Sequence, residues 1–219
     1  MARELLLFKQ AIGSRGGNIG GAVWHQWRYF LNLKREHTMS KSLETPFILD
    51  LDTIRAKARK HVTEGAVTDS YQGNRETVLK LLNDALATEI VCSLRYRRDH
   101  YMARGIHSES VSAEFLEHSN EEQQHADMLA KRIVELGGEP NFAPDELTTR
   151  SHSEYARCEA LGDMIRENLV AERIAIDSYR AIINYIGTQD STTRRILETI
   201  LAVEEEHADD LADLLTAHS

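Results

Sequence analysis

The sequence predicts an all-α protein whose main part is a four-helix bundle. Only three prolines occur among 219 residues, and long stretches are rich in Ala, Leu, Glu and Arg, which favour helices. The pattern Glu-x-x-His-Ala-Asp occurs twice, at residues 122–127 and 204–209. Two copies of one helical hairpin would explain this repeat, and two such hairpins make a four-helix bundle.

The chain before the bundle divides into two segments. Residues 1–38 carry six Lys or Arg and two acidic residues, and Met39 begins a new stretch, Met-Ser-Lys-Ser. We interpret residues 1–38 as a non-native or disordered upstream extension, with a presequence as an alternative, and Met39 as the natural start. Residues 39–74 are then an N-terminal extension with one short helix at about 51–64. The bundle occupies residues 75–219.

Four long helices are expected within the bundle, and their ends carry recognisable signals. Asn74 is a good N-cap for the first helix, and Asp190 or Ser191 for the fourth. Glycines follow the first three helices. The predicted helices span about 75–103, 110–136, 156–186 and 191–217.

The connections predict how the helices run. The first and last connections are short, so each joins an antiparallel hairpin. The middle connection is about twenty residues long and contains Pro140 and Pro144. An extended segment of that length can span the roughly 40 Å of the second helix. We therefore expect a long crossover that leaves the second and third helices parallel.

Six residues with metal-binding side chains recur at matching places in the two hairpins. Each Glu-x-x-His pair lies on one helix face, and a single Glu precedes it by 33 or 32 positions. These single acids fall within apolar stripes, where an unpaired carboxylate is costly. Four carboxylates balance two divalent cations, and neutral imidazoles complete the coordination. The predicted metal ligands are Glu89, Glu122, His125, Glu172, Glu204 and His207.

Other polar residues receive weaker interpretations. Tyr96 and Tyr179 each follow a single Glu by seven residues, and they either fill the core or hydrogen-bond a ligand glutamate. Glu121, Glu205 and Glu206 are expected to face solvent or an inner surface. His118 with Glu117 is a candidate accessory iron path. The charged run 95–99 is expected at the surface or in a subunit contact.

Composition narrows the function classes. A net charge of −9 argues against nucleic acid as a partner. No apolar run approaches the length of a membrane span. Two cysteines give neither a disulfide framework nor a Cys-x-x-Cys motif, so we expect a reducing, cytoplasmic location.

From about Arg75 to Leu215 these motifs resemble the ferritin-like di-iron family, and most closely the bacterioferritins. The resemblance implies a ferritin-like bundle in which those six residues hold two irons, with Tyr96 beside them. It implies a ferroxidase that uses O2 or H2O2 to store or detoxify iron inside a homo-oligomeric shell. A rubrerythrin-like peroxidase, a di-iron oxygenase and a non-enzymatic sequestering protein remain alternatives.

Three departures from the bacterioferritin pattern modify these expectations. Gln123 stands where bacterioferritins carry their haem-binding Met, which argues against haem. The chain stops twelve residues after His207, which leaves no room for a fifth helix. Residues 39–74 form an extension that bacterioferritins lack. A Dps-like protein with a bacterioferritin-type site would fit every feature, so the shell is expected to contain 12 or 24 subunits.

Overall fold

The computed structural model describes residues 47–105 and 108–217, and all the regular structure in these ranges is helical, as predicted. The predicted extension at residues 1–38 and the proposed start at Met39 lie outside the described residues. The chain divides into two units after Leu51. The helices of the described residues are α1 (Leu51–Ala58), which begins at that division, α2 (Arg75–Met102), α3 (Ser108–Glu135), α4 (Leu147–Arg150), α5 (Leu161–Ile186) and α6 (Ser191–Ala217), with a 3₁₀ turn at Val62–Glu64.

The predicted N-caps form as expected. The Asn74 side chain accepts a hydrogen bond from the backbone N–H of Thr77 at 3.1 Å at the start of α2. The Asp190 carboxylate accepts one from the backbone N–H of Thr193 at 2.9 Å at the start of α6. Each bond satisfies an N–H group that has no partner within the helix, and a carboxylate also favours the positive end of the helix dipole.

Two helix boundaries and one additional helix differ from the prediction. Helix α5 starts at Leu161 rather than at 156, α1 ends at Ala58 rather than at 64, and the crossover contains the unpredicted helix α4. For α5 the reason is visible. Arginines of α2 donate hydrogen bonds to the carbonyls of Glu154 and Cys158, both at 2.9 Å, so side chains satisfy these carbonyl groups in an extended segment.

Side-chain contacts give the direction of each helix. Along α2 and α3, His100 lies against Ser112 and Ser93 against Ser119, so these helices are antiparallel. Between α2 and α5, Tyr179 meets Glu89 and Glu172 meets Tyr96, so α5 is antiparallel to α2 and therefore parallel to α3. Between α3 and α6, Thr193 meets Arg132 and His207 meets Glu121, so α6 is antiparallel to α3.

The crossover makes this arrangement possible by running beside α2. Its residues meet α2 in increasing order: Asn141 bonds Asn83 at 2.7 Å, and His152 bonds Thr88 at 2.9 Å. Leu147 of α4 also packs on Ala87 of α2. The crossover thus carries the chain from the end of α3 back to the other end of the bundle, as predicted for a bundle with one long crossover.

Two apolar clusters fill the interior of the bundle, and a polar layer lies between them along every helix. The larger cluster includes Leu86, Leu129, Ile182 and Leu197. The smaller cluster includes Tyr96, Phe115, Ile165 and Leu211. Between these two clusters each long helix contributes acidic side chains to one buried level. The fold therefore encloses the candidate site with hydrophobic packing on both sides.

Candidate metal centre

All six residues that the repeat singled out lie in this polar layer. Helices α2 and α5 each contribute one of them, and α3 and α6 each contribute two. All are at most 5% exposed: Glu89, Glu122, His125, Glu172, Glu204 and His207. The structure therefore brings together in space residues that are up to 118 positions apart in the sequence.

The six residues form two overlapping groups of four. Within each group, one ligand atom from every residue lies within 4.8 Å of the others. One group has Glu89 and His125 as its own members, and the other has Glu172 and His207. Glu122 and Glu204 belong to both groups. This geometry could hold two neighbouring cations that share two carboxylates.

The atoms that face these positions are crowded rather than regularly hydrogen-bonded. Buried polar atoms are almost always paired in folded proteins. Here seven ligand atoms make no well-aligned hydrogen bond: one oxygen each of Glu89, Glu122 and Glu172, both oxygens of Glu204, and Nδ1 of both imidazoles. They lie close to one another instead, as His125 Nδ1 lies 2.9 Å from Glu204 Oε1. Four carboxyl groups in one buried layer are costly unless protons or cations lie between them. The oxygen-rich set with two imidazoles fits iron or manganese, and zinc also binds such ligands.

The two tyrosines hold the single glutamates through reciprocal hydrogen bonds. Tyr96 of α2 donates to Glu172 of α5, and Tyr179 of α5 donates to Glu89 of α2. Each tyrosine therefore supports the glutamate of the opposite hairpin rather than the one seven residues before it. Both hydroxyls are buried, and each bond fixes a carboxylate with its second oxygen free for a cation.

Glu121 orients one imidazole, a role that the sequence did not reveal. His207 Nε2 lies 2.8 Å from Glu121 Oε2, which leaves Nδ1 directed at the cation positions. A carboxylate partner of this kind fixes the orientation and tautomer of a metal-binding histidine. The repeat could not identify Glu121, because the matching residue in the second copy is Val203.

Crowding of the acids shifts their protonation. Burial, and then the neighbouring Glu122, raises the pKa of Glu89 to about 8. Burial and three nearby glutamates raise the pKa of Glu204 well above its usual value. For Glu122, burial alone would raise the pKa, but hydrogen bonds with Glu89 and both imidazoles lower it. Without cations, the layer therefore holds protons on some of its carboxyl groups.

The two imidazoles also retain protons. Burial alone would lower the pKa of each, but hydrogen bonds to Glu122, together with the nearby carboxylates, raise it to about 10 for His125 and about 9 for His207. Bound cations need neutral imidazoles and ionised carboxylates. Metal binding at this layer must therefore displace protons.

His118 lies against the centre, but Glu117 does not. The His118 side chain is 2% exposed and stacks on His207 with ring centroids 3.9 Å apart. Burial, and then the charge of His207, lowers the pKa of His118 to about 3. Glu117 is exposed, and Glu114 instead lies beside His118. The predicted pairing of His118 with Glu117 is therefore wrong, although His118 does approach the candidate centre.

The charged run 95–99 is partly buried, which corrects the surface expectation. Arg95 and Asp99 are each 2% exposed. Asn168 of α5 joins them, accepting from Arg95 at 2.8 Å and donating to Asp99 at 2.9 Å. This network closes the interior between α2 and α5 next to the polar layer. Arg95 also donates to the carbonyl of Glu154, and Asp99 pairs with Arg98 at 2.6 Å, so hydrogen bonds and one ion pair offset the burial of these charges.

The described part of the chain includes no helix that is both long and apolar enough to span a membrane.

Comparison with known proteins gives consistent matches. A family model described as "Ferritin-like domain" matches residues 79–218. A bacterioferritin from Desulfovibrio desulfuricans is 29% identical over 140 residues, which cover 62% of this chain and 74% of the relative. A DNA protection during starvation protein from Pyrococcus furiosus is 30% identical over 149 residues, covering 64% and 78% respectively.

A solved structure is also similar. It is described as a dodecameric thioferritin, the bacterioferritin-related protein from Bacteroides fragilis. It is 34% identical to this chain with a TM-score of 0.64, and the match covers 66% of this chain and 87% of that one. The family-model match over residues 79–218 includes the whole polar layer.

Proposed function

This chain belongs to the ferritin-like family, and on that premise we propose that it oxidises Fe(II) to Fe(III) in order to store or detoxify iron. The observation that carries the proposal is the pair of overlapping four-residue groups, which share Glu122 and Glu204 and present unpaired donor atoms to two cation positions. The relatives named as bacterioferritins support iron as the substrate.

The reaction we propose takes two Fe(II) ions as substrate, one in each group. Two Fe(II) supply the two electrons that reduce O2 to H2O2 or H2O2 to water, and two protons are consumed in either case. Four carboxylates offset the +4 charge of the two bound Fe(II) ions. Their hard oxygen atoms bind Fe(III) more strongly than Fe(II) and therefore favour oxidation. Tyr96, Tyr179 and Glu121 hold the carboxylates and one imidazole in place.

Storage also requires a container, and we propose a homo-oligomeric shell. The related thioferritin is dodecameric, and a shell of 12 or 24 copies would enclose a cavity for Fe(III). Haem is not part of the proposal, since Gln123 stands at the position of the bacterioferritin haem ligand and its side chain is exposed.

The alternatives receive less support. A di-iron oxygenase would act on an organic substrate, whereas the relatives named as bacterioferritins point to iron itself as the substrate. A rubrerythrin-like peroxidase needs Cys-x-x-Cys pairs for its electron-transfer centre, and the sequence has two cysteines, Cys92 and Cys158, 66 positions apart.

The test is the rate of Fe(II) oxidation by O2, followed at the Fe(III) absorbance, together with the particle mass after loading in air. We expect rapid oxidation by the wild type, and a rate no faster than that of buffer for Glu122→Ala and for His207→Ala. A heavy shell carrying many irons per chain would support storage. A dimer that holds two irons per chain would overturn the storage proposal and favour an oxygenase or peroxidase.

A further inference from the structure

A second cluster of metal-binding side chains lies beside the centre, between α3 and α6. It consists of Glu114, His118 and Asp210, whose ligand atoms lie within 4.8 Å of one another. His118 Nε2 is 3.4 Å from Glu114 Oε1 and 4.0 Å from Asp210 Oδ2. The two carboxylates come from different helices and approach the same nitrogen.

The histidine in this cluster is buried with one nitrogen unpaired. His118 is 2% exposed, and its Nδ1 makes no hydrogen bond. Its ring packs edge-on against Tyr96 and stacks on His207, but these contacts do not satisfy the nitrogen, and an unpaired buried polar atom costs free energy. Its Nε2 faces the two carboxylates, whose side chains are 33% and 48% exposed. The cluster is therefore closed by His118 on its inner side and open to solvent on its outer side.

His118 also takes part in a second, inner group. Together with Glu172 and His207 it forms three residues whose ligand atoms lie within 4.8 Å, and it stacks on His207. One imidazole thus touches both the outer cluster and one of the two central cation positions. No other described residue belongs both to the outer cluster and to an inner group.

We propose that Glu114, His118 and Asp210 bind a third divalent cation and that this outer site passes cations to the Glu172–His207 side of the centre. Two carboxylates balance the charge of one divalent ion. The site has three protein ligands and partial exposure, so solvent completes its coordination and the ion exchanges readily. Binding at this site is independent of iron oxidation, whereas its role as an entry point rests on the proposed function.

The binding part is tested by counting Zn(II) ions per chain, because Zn(II) has no redox chemistry that would complicate the count. We expect three ions per chain in the wild type and two in Asp210→Asn. Asp209→Asn removes the same charge from the neighbouring exposed residue, and it should keep three. Two ions in the wild type, or three in both variants, would overturn the proposed site.

The outer site is also separable from the centre. Glu204→Gln removes a residue shared by both central groups, so we expect it to lose the central ions and retain the outer one. If Glu204→Gln retains no ion while the wild type binds two, the outer site is refuted and the centre stands. If the wild type binds one ion and Asp210→Asn binds none, the proposed two-cation centre is refuted and the outer site is supported.

The transfer part is tested by stopped-flow mixing of Fe(II) with oxygenated protein. Loss of a local negative field lowers the arrival rate of a cation by a factor of about 10 or more. We therefore expect Glu114→Gln with Asp210→Asn to slow the initial oxidation about tenfold at low Fe(II), with the maximal rate unchanged at high Fe(II). An unchanged initial rate at low Fe(II) would overturn the entry role.

Discussion

Replacing Glu204 by Gln should separate metal binding from folding. Glu204 is fully buried and belongs to both four-residue groups, and its Oε1 lies 2.9 Å from His125 Nδ1. Burial and its acidic neighbours raise its pKa well above the usual value, which favours the neutral acid in the metal-free protein. The amide of Gln matches that neutral acid closely in size and charge.

The substitution should weaken metal binding rather than the stability of the metal-free protein. Each of the two cations loses one of its four protein ligands, and the carboxylate charge falls from −4 to −3 against +4. Removing even a group that only orients a ligand costs 10- to 100-fold in metal affinity, so loss of a shared ligand should cost at least about 100-fold for each ion, or about 2.7 kcal/mol. The thermal midpoint of the metal-free protein should hardly change.

Isothermal titration with Zn(II) or anaerobic Fe(II), together with thermal unfolding of the metal-free protein, measures both effects. Glu206→Gln is the matched control, because Glu206 is an exposed acid on the same helix; it should leave both quantities as in the wild type. Central ions that bind Glu204→Gln as tightly as they bind the wild type would refute the shared-ligand arrangement. A large loss of metal-free stability would show that Glu204 acts chiefly in folding.

Three further predictions follow from the same layer. Loading two cations at pH 7 should release about three protons per chain, from Glu89, His125 and His207, because their raised pKa values keep them protonated without metal. Titrations in buffers of different ionisation enthalpy measure this number, and a release near zero would contradict the prediction. The metal-free protein should lose stability as the pH rises from about 6.5 to 10. The folded state binds more protons than the unfolded state in this pH window, since folding raises the pKa values of His125 and His207 from 6.5 to about 10 and about 9. Unfolding in denaturant at several pH values measures whether the free energy of unfolding falls as the pH rises, and the metal-loaded protein should not show this fall. Glu121→Gln should weaken metal binding about 10- to 100-fold, because His207 loses its carboxylate partner. Glu117→Gln changes an exposed acid on the same helix and should leave the affinity unchanged when both variants are titrated with Zn(II).

The sequence predicted the bundle and grouped the six candidate ligands because both depend on local periodicity. Glu-x-x-His places two donors on one helix face wherever the helix lies, and the repeat marked each copy. The crossover followed from length alone, since a connection that long reaches the opposite end of the bundle. Those features need no knowledge of which side chains meet across helices.

The remaining features of the site depend on which side chains come into contact across helices. Tyr96 supports Glu172 rather than Glu89, and only the antiparallel packing of α2 against α5 reveals this exchange. Glu121 has no counterpart in the second copy, so its contact with His207 is specific to one hairpin. Arg95 looked like a surface charge in the sequence, yet it is buried in a paired network that also delays the start of α5.

In the proposed centre, one chain holds two cations that share Glu122 and Glu204. Anomalous scattering at the iron edge, from crystals loaded with Fe(II) without oxygen, tests it directly. We predict two peaks per chain within the buried layer, one beside Glu89 and His125 and the other beside Glu172 and His207. A single peak in the layer, or iron bound only outside it, would contradict the account.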